Sequence, residues 1–113
     1  MDIFCDIGGA PDSLRERLDE YRRIFEHALA GRERTGGGIR FRFRARPGVE
    51  AWVRDLAARE RACCAFFAFE VTAQGDEVLW DASVPDDAAA RAMLEAFYAL
   101  PETGHLDPQG LLT

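Results

Sequence analysis

Cys63 and Cys64 stand side by side in the stretch Arg59-Glu60-Arg61-Ala62-Cys63-Cys64-Ala65-Phe66-Phe67. The stretch reads as a helix end running into a strand. Inside a helix, adjacent side chains point about 100° apart, but where a helix gives way to a strand they can converge. Two converging thiolates are soft ligands. With Cys5 as a third they would form a trigonal sulfur site selective for thiophilic ions such as Hg(II), As(III), Cu(I) or Zn(II). Arg59 and Arg61 flank the pair and would favour thiolate over thiol. Glu60 falls on the apolar stripe of its helix, where a carboxylate rarely sits without a partner or a task. It is therefore the candidate for an outer-layer or proton-handling group.

The same residues admit other chemistry. Two thiolates and a carboxylic acid can hold an organometal and protonate its leaving carbon, with Glu60 as the acid if burial raises its pKa. A thiol-redox role would use Cys5 as the resolving cysteine, because a vicinal Cys63–Cys64 disulfide is strained. The plain alternative is a structural or interaction module whose cysteines are small, inert, buried side chains. Ordinary zinc-finger spacing is excluded, since there is no CxxC and no histidine lies near a cysteine in sequence. Whether the chain is an enzyme stays open at this level.

The run Leu56-Ala57-Ala58-Arg59-Glu60-Arg61-Ala62-Cys63-Cys64-Ala65-Phe66-Phe67-Ala68-Phe69 resembles a motif of the form L-A-x-x-E-x-x-C-C-x-F-F-x-F. The motif is associated with small uncharacterised actinobacterial-type proteins and with C-terminal extensions of MerR-class metal-responsive regulators. The apolar-Cys opening Ile3-Phe4-Cys5 ahead of a Leu-containing helix is similar to those relatives as well. The resemblance implies thiol-based metal or metalloid handling, as sensing or scavenging. The chain lacks the DNA-binding helices of such regulators, so it resembles a stand-alone version of the sensing part.

Several elements must position these residues. Residues 2–7 read as a short extended segment ended by Gly8-Gly9. Pro11 suits a first helical turn. Leu14, Leu18, Tyr21, Phe25, Ala28 and Leu29 follow at helical spacing, predicting a helix over residues 11–30 stopped by Gly31. After a Gly36-Gly37-Gly38 turn, residues 39–46 alternate strictly, with Ile39, Phe41, Phe43 and Ala45 facing inward and four arginines outward. Val49, Trp52, Val53, Leu56 and Ala57 mark a second helix over residues 48–62. Strands at 66–72 and 78–84 flank a Gln74-Gly75-Asp76 turn. Pro85-Asp86-Asp87 opens a last helix with Ala89, Met93, Ala96, Phe97 and Leu100 on its inner stripe.

The expected fold is α+β: a small mixed or antiparallel sheet of three to four strands with three helices packed on one face. Residues 1–100 form the single domain and 101–113 a tail. If strands 39–46 and 66–72 run parallel, their helical connection is a right-handed crossover. The arginines at 40, 42, 44 and 46 read as partners of cross-strand acids such as Glu70 and Asp81. Phe66, Phe67 and Phe69 offer more apolar surface than one small sheet face can cover, and Phe66, left exposed by strand alternation, suggests a homodimer.

Composition bounds the rest. The chain has 113 residues, 48% apolar and 30% charged, an ordinary folded-domain mixture. All 14 basic residues are arginine, a coding trace of a GC-rich genome, and the net charge is -6. An acidic chain of this kind is not expected to bind nucleic acid. The longest apolar run, 62–69, is far short of a membrane span, which needs roughly 20 residues. With no signal-peptide pattern and an odd number of cysteines, a cytoplasmic location with reduced thiols is expected.

Overall fold

The computed structural model describes residues 14–63 and 66–103, with side chains for 15–62 and 66–102. Seven elements follow in order: α1 (Leu14–Ala28), β1 (Leu29–Arg34), β2 (Gly38–Arg44), α2 (Val49–Cys63), β3 (Ala68–Gln74), β4 (Glu77–Ser83) and α3 (Ala88–Thr103). The four strands form one sheet in the order β1-β2-β4-β3, and every neighbouring pair is antiparallel. This is the α+β architecture expected, with the sheet in its antiparallel form. β2 and β3 each run antiparallel to β4, so they run parallel to one another with β4 between them. The helical connection through α2 is thus a crossover that skips one strand.

Strand pairing depends on two glycines. Gly38 begins β2 opposite Ser83, and a Cβ there would lie 1.9 Å from the carbonyl oxygen of Ala82. Any larger residue would push β2 off β4 at its first pair. Gly75 takes φ 62° in the two-residue connection between β3 and β4. A positive φ there matches the twist that a tight hairpin needs, at no steric cost for glycine.

One face of the sheet is buried. Ile39, Phe41 and Phe43 of β2 and Val78, Trp80 and Ala82 of β4 point into it. All three helices cover that face, contributing Tyr21, Ile24 and Ala28 from α1, Val49, Val53 and Leu56 from α2, and Met93, Leu94, Phe97 and Leu100 from α3. Phe97 is the common contact. Its ring meets Phe41 edge-on at 5.0 Å, Trp80 at 5.3 Å and Tyr21 at 5.9 Å, and it lies tilted against Phe67 at 5.8 Å. Edge-to-face packing is the favoured arrangement for rings. α3 itself is opened by Asp87, whose Oδ2 accepts the backbone N–H of Ala90 at 2.9 Å, an N-cap.

Three expectations change. The helix expected to run to residue 30 ends at Ala28, and an additional strand, β1, takes Leu29–Arg34 through the expected stop at Gly31. It pairs with β2, but its alternation is charged, not apolar. Arg32 and Arg34 stand opposite Phe41 and Ile39 and so face the helix layer at its edge. There Arg34 pairs with Glu95, Arg32 donates to the carbonyl of Tyr98 and pairs with Glu102, and both guanidinium groups lie over the Tyr98 ring at 4.4 and 4.8 Å. An edge strand can clamp a helix with cations, so an apolar pattern misses it. β2 ends at Arg44, leaving Ala45 exposed. The last helix runs through Pro101 to Thr103, so the tail from 101 begins helical. A proline is tolerated there because it forfeits only one bond near the helix end. The extended segment 2–7 and residues 104–113 lie outside the described residues.

Phe97→Ala is expected to destabilise the fold by about 3–5 kcal/mol, the usual cost of emptying a large aromatic site. Urea denaturation followed by tryptophan fluorescence measures it. A loss below about 1 kcal/mol would show that Phe97 is not the packing centre described.

Candidate functional site

α2 presents Val49, Val53, Leu56, Ala57 and Glu60 to the core, so the carboxylate does sit on the apolar stripe. Glu60 is 2% exposed and Arg17 0% exposed. Arg17 Nη1 donates to Glu60 Oε1 at 2.6 Å. Removing two charges from water costs several kcal/mol each, and only close geometry and further hydrogen bonds offset it. The carboxylate thus has the partner that its burial demands. Arg17 was not among the residues singled out by the sequence. The inner stripe of α1 is Arg17, Tyr21, Ile24 and Ala28, rotated by one position from the apolar stripe that includes Leu14, Leu18 and Phe25. The signal was available: Arg17 lies one turn before Tyr21 and two before Ile24.

A second bridge joins the same helices. Glu20 accepts from Arg59 Nη1 at 2.9 Å and Nη2 at 2.6 Å, and from Trp52 Nε1 at 2.6 Å. Arg59 also pairs with Asp55 at 2.6 Å. The Arg59 hydrogen bond holds the Glu20 carboxyl below the usual carboxylate range, against the opposing effect of its burial. The Glu20 bond likewise raises the Arg59 guanidinium. Further along, the His27 ring lies 6.5 Å from Trp52. The partners climb α1 (17, 20, 27) as they descend α2 (60, 59, 52), so the two helices run antiparallel. The first turn of α1 therefore sits beside the last turns of α2.

Cys63 is the last residue of α2, and its side chain lies outside the described part. Cys5 and Cys64 also lie outside the described residues. Among the described residues, no three His, Cys, Asp or Glu side chains gather as a metal centre. α2 ends at Cys63 and β3 starts at Ala68, two residues later than the strand expected from residue 66. Arg59, expected to favour thiolates, has its charge engaged by Glu20 and Asp55 instead. Phe66, Phe67 and Phe69 form a continuous stack, with centroids 4.8 and 5.1 Å apart, in which Phe67 is buried and the outer two are half-buried.

The open sheet face carries the arginine row. Arg40 donates to Asp81 through Nε at 2.7 Å and Nη2 at 3.3 Å. Arg42 reaches Glu77 at 3.1 Å and Glu33 at 3.4 Å, lying across Gly31 where a Cβ would meet its Nη2 at 2.4 Å. Arg44 donates to the carbonyl of Leu29. Asp81 is a partner as expected, whereas Glu70 stands opposite Asp81 in the neighbouring strand. Arg40 and Arg42 thus have carboxylate partners on this face. A groove of about 600 Å³ between α1 and the end of α3 is lined by Leu18, Phe25 and Leu100 together with charged side chains such as Arg15. It holds no thiol.

Comparison with family models, with curated proteins and with solved structures finds no match for this chain.

Two outcomes follow from the helix bridges. Arg17→Met alone takes the guanidinium away from a buried carboxylate and is expected to destabilise the fold by about 3 kcal/mol, while Arg17→Met with Glu60→Leu recovers part of it. Chemical denaturation of the two variants separates these, and equal losses in both would contradict the pair. The depressed Glu20 pKa contributes stability that is complete above about pH 4.3, the unfolded glutamate value, and is lost as pH falls through the folded one. Arg59→Met should therefore flatten the acid limb of stability below that pH.

Proposed function

We infer that the chain binds a soft metal or metalloid ion through thiolates where α2 meets β3. Cys63 and Cys64 are the ligands in this reading and Cys5 the third. The carrying observation is that Cys63 closes α2 and β3 begins only at Ala68. Adjacent thiols at a helix end are not bound to the divergence that a helix interior imposes. The motif resemblance to metal-responsive regulators supports sensing or scavenging, with the ion as substrate or cargo and a reducing cytoplasm as the setting.

Glu60 takes a positioning role in this reading. Its ion pair with Arg17 fixes the end of α2 against the start of α1. The pair uses the carboxylate form, which has no proton to donate, so organometal cleavage with Glu60 as acid gains no support. The pair also favours the second reading, an interaction module with inert cysteines, because it supplies a structural reason for Glu60 to be buried.

Native mass spectrometry of reduced protein challenged separately with Hg(II), As(III) and Zn(II) decides between them. The expected result is one ion retained per chain, lost in Cys63→Ser/Cys64→Ser, with As(III) alone also lost in Cys5→Ser. An equal adduct in the double variant, or none in the wild type, overturns the ion-binding reading and leaves the module. The same spectra report whether the chain pairs as a homodimer.

A further inference from the structure

The two edges of the sheet end differently. At one edge, β1 carries Arg32, Glu33 and Arg34 in succession, and its register shifts between Leu29 and Gly31. Charge and irregularity of this sort block pairing with a further strand. At the other edge, β3 reads Ala-Phe-Glu-Val-Thr-Ala-Gln, with one charge and no register shift against β4. Among the described residues nothing pairs with its outer side. The buried face also stops short there. Ala82, Trp80 and Val78 of β4 are at most 2% exposed, whereas their β3 partners Phe69 and Val71 are half-buried and Ala73 is exposed. The inward positions of β1 are arginines clamped to α3, while those of β3 are apolar and partly open to solvent.

We propose that β3 is the interface of a homodimer, in which two copies pair edge to edge, β3 against β3 in antiparallel sense, about a two-fold axis at Val71. A two-fold interface needs a segment that fits its own reverse. β3 meets that condition. Val71 is the midpoint of Ala68–Gln74, so this register pairs the whole strand. On the helix side, Phe69 stands opposite Ala73 of the second copy, a large ring beside a small methyl, and Val71 meets its own counterpart. On the open side, Glu70 stands opposite Thr72 and Ala68 opposite Gln74. The one charge of the strand therefore meets a hydroxyl that can donate to it. An axis moved to Glu70 would set two carboxylates directly opposite each other, which is unfavourable. An axis moved to Thr72 would leave Ala68 and Phe69 outside the ladder. The unlike edges also limit the assembly to two copies. Pairing consumes both β3 edges and leaves a β1 at each end of an eight-stranded sheet, where charge stops further addition. The interface needs no bound ion, so it stands apart from the thiol reading.

Sedimentation equilibrium on the full-length, reduced, metal-free chain tests it. The expected result is twice the chain mass at micromolar concentration, falling to the single mass on dilution. Thr72→Glu sets carboxylates opposite each other on both sides of the axis and should weaken the dimer about tenfold. Glu70→Arg combined with Thr72→Glu turns the same positions into opposite charges and should restore it. Circular dichroism is the control for folding of each variant. Isotope-filtered nuclear Overhauser spectra of a mixed labelled and unlabelled wild-type sample need no variant, and should show the Phe69 ring against the Ala73 methyl. Four residues apart in one strand, these groups lie about 13 Å from each other, so only a second copy brings them together. A chain that stays monomeric, a dimer that folded Thr72→Glu leaves unchanged, or a dimer without the Phe69–Ala73 contact would overturn the proposal. A monomer whose β3 amides all resist hydrogen exchange would assign the edge to another part of the same chain and overturn it as well. Ion retention is read separately by mass, so either idea can fail alone.

Discussion

A four-stranded antiparallel sheet with one charged face has a single apolar face to bury, and three short helices must meet over it. None of them is long enough to cover the sheet alone. The meeting point is the Phe97 ring, held edge-on against rings from the sheet and from α1. Rings stacked flat would slide, whereas edge-on contacts at 5.0–5.9 Å fix both position and tilt. Trp80 lies fully buried in this cluster, and its Nε1 finds no hydrogen-bond partner among the described residues. Packing of the ring outweighs the cost of that one donor. The fold is thus organised around aromatic geometry first, with polar contacts arranged at its margins.

Those margins use arginine throughout. The absence of lysine reads as a coding trace, but the guanidinium fork has structural consequences that an ammonium would not reproduce. Arg34 grips both oxygens of Glu95, Arg40 both oxygens of Asp81, and Arg59 both oxygens of Glu20. Each two-point contact fixes orientation as well as distance. α1 and α2 are a case where this matters: long side chains bridge them, Arg17 to Glu60 at one end and Arg59 with Trp52 to Glu20 beyond it. The bridges set the antiparallel sense and relative height of the two helices, which apolar contacts alone specify loosely.

Elements with apolar periodicity were legible in the sequence. The alternation of Ile39, Phe41 and Phe43 and the stripe from Val49 to Ala57 both reappear as buried faces. Glu60 was legible for the opposite reason, as a charge on such a stripe. β1 was not legible, because its inward residues are the arginines that clamp α3, and charge alternation at an edge looks like a loop. Arg17 was missed through a one-position error in phase, since Leu14, Leu18 and Phe25 make an equally apolar stripe beside the true one. The position of β4 between β2 and β3 could not be read from pattern at all. It follows from which edges remain open once the β3–β4 hairpin closes, a property of the assembled sheet.

The end of α2 carries an electrostatic asymmetry that bears on any thiol chemistry there. Cys63 lies at the helix C-terminus, where unsatisfied carbonyls present the negative end of the dipole. That field disfavours a free thiolate. Arg59 does not relieve it, since Glu20 and Asp55 already engage its charge, and Arg61 is exposed to solvent. Reactive thiolates used as redox nucleophiles are commonly found at the opposite, positive end of a helix or beside an uncommitted cation. A bound cation reverses the balance, because its charge stabilises the thiolates and is itself favoured by the helix terminus. In general terms, a thiol at the negative end of a helix is better suited to holding a cation than to attacking a disulfide.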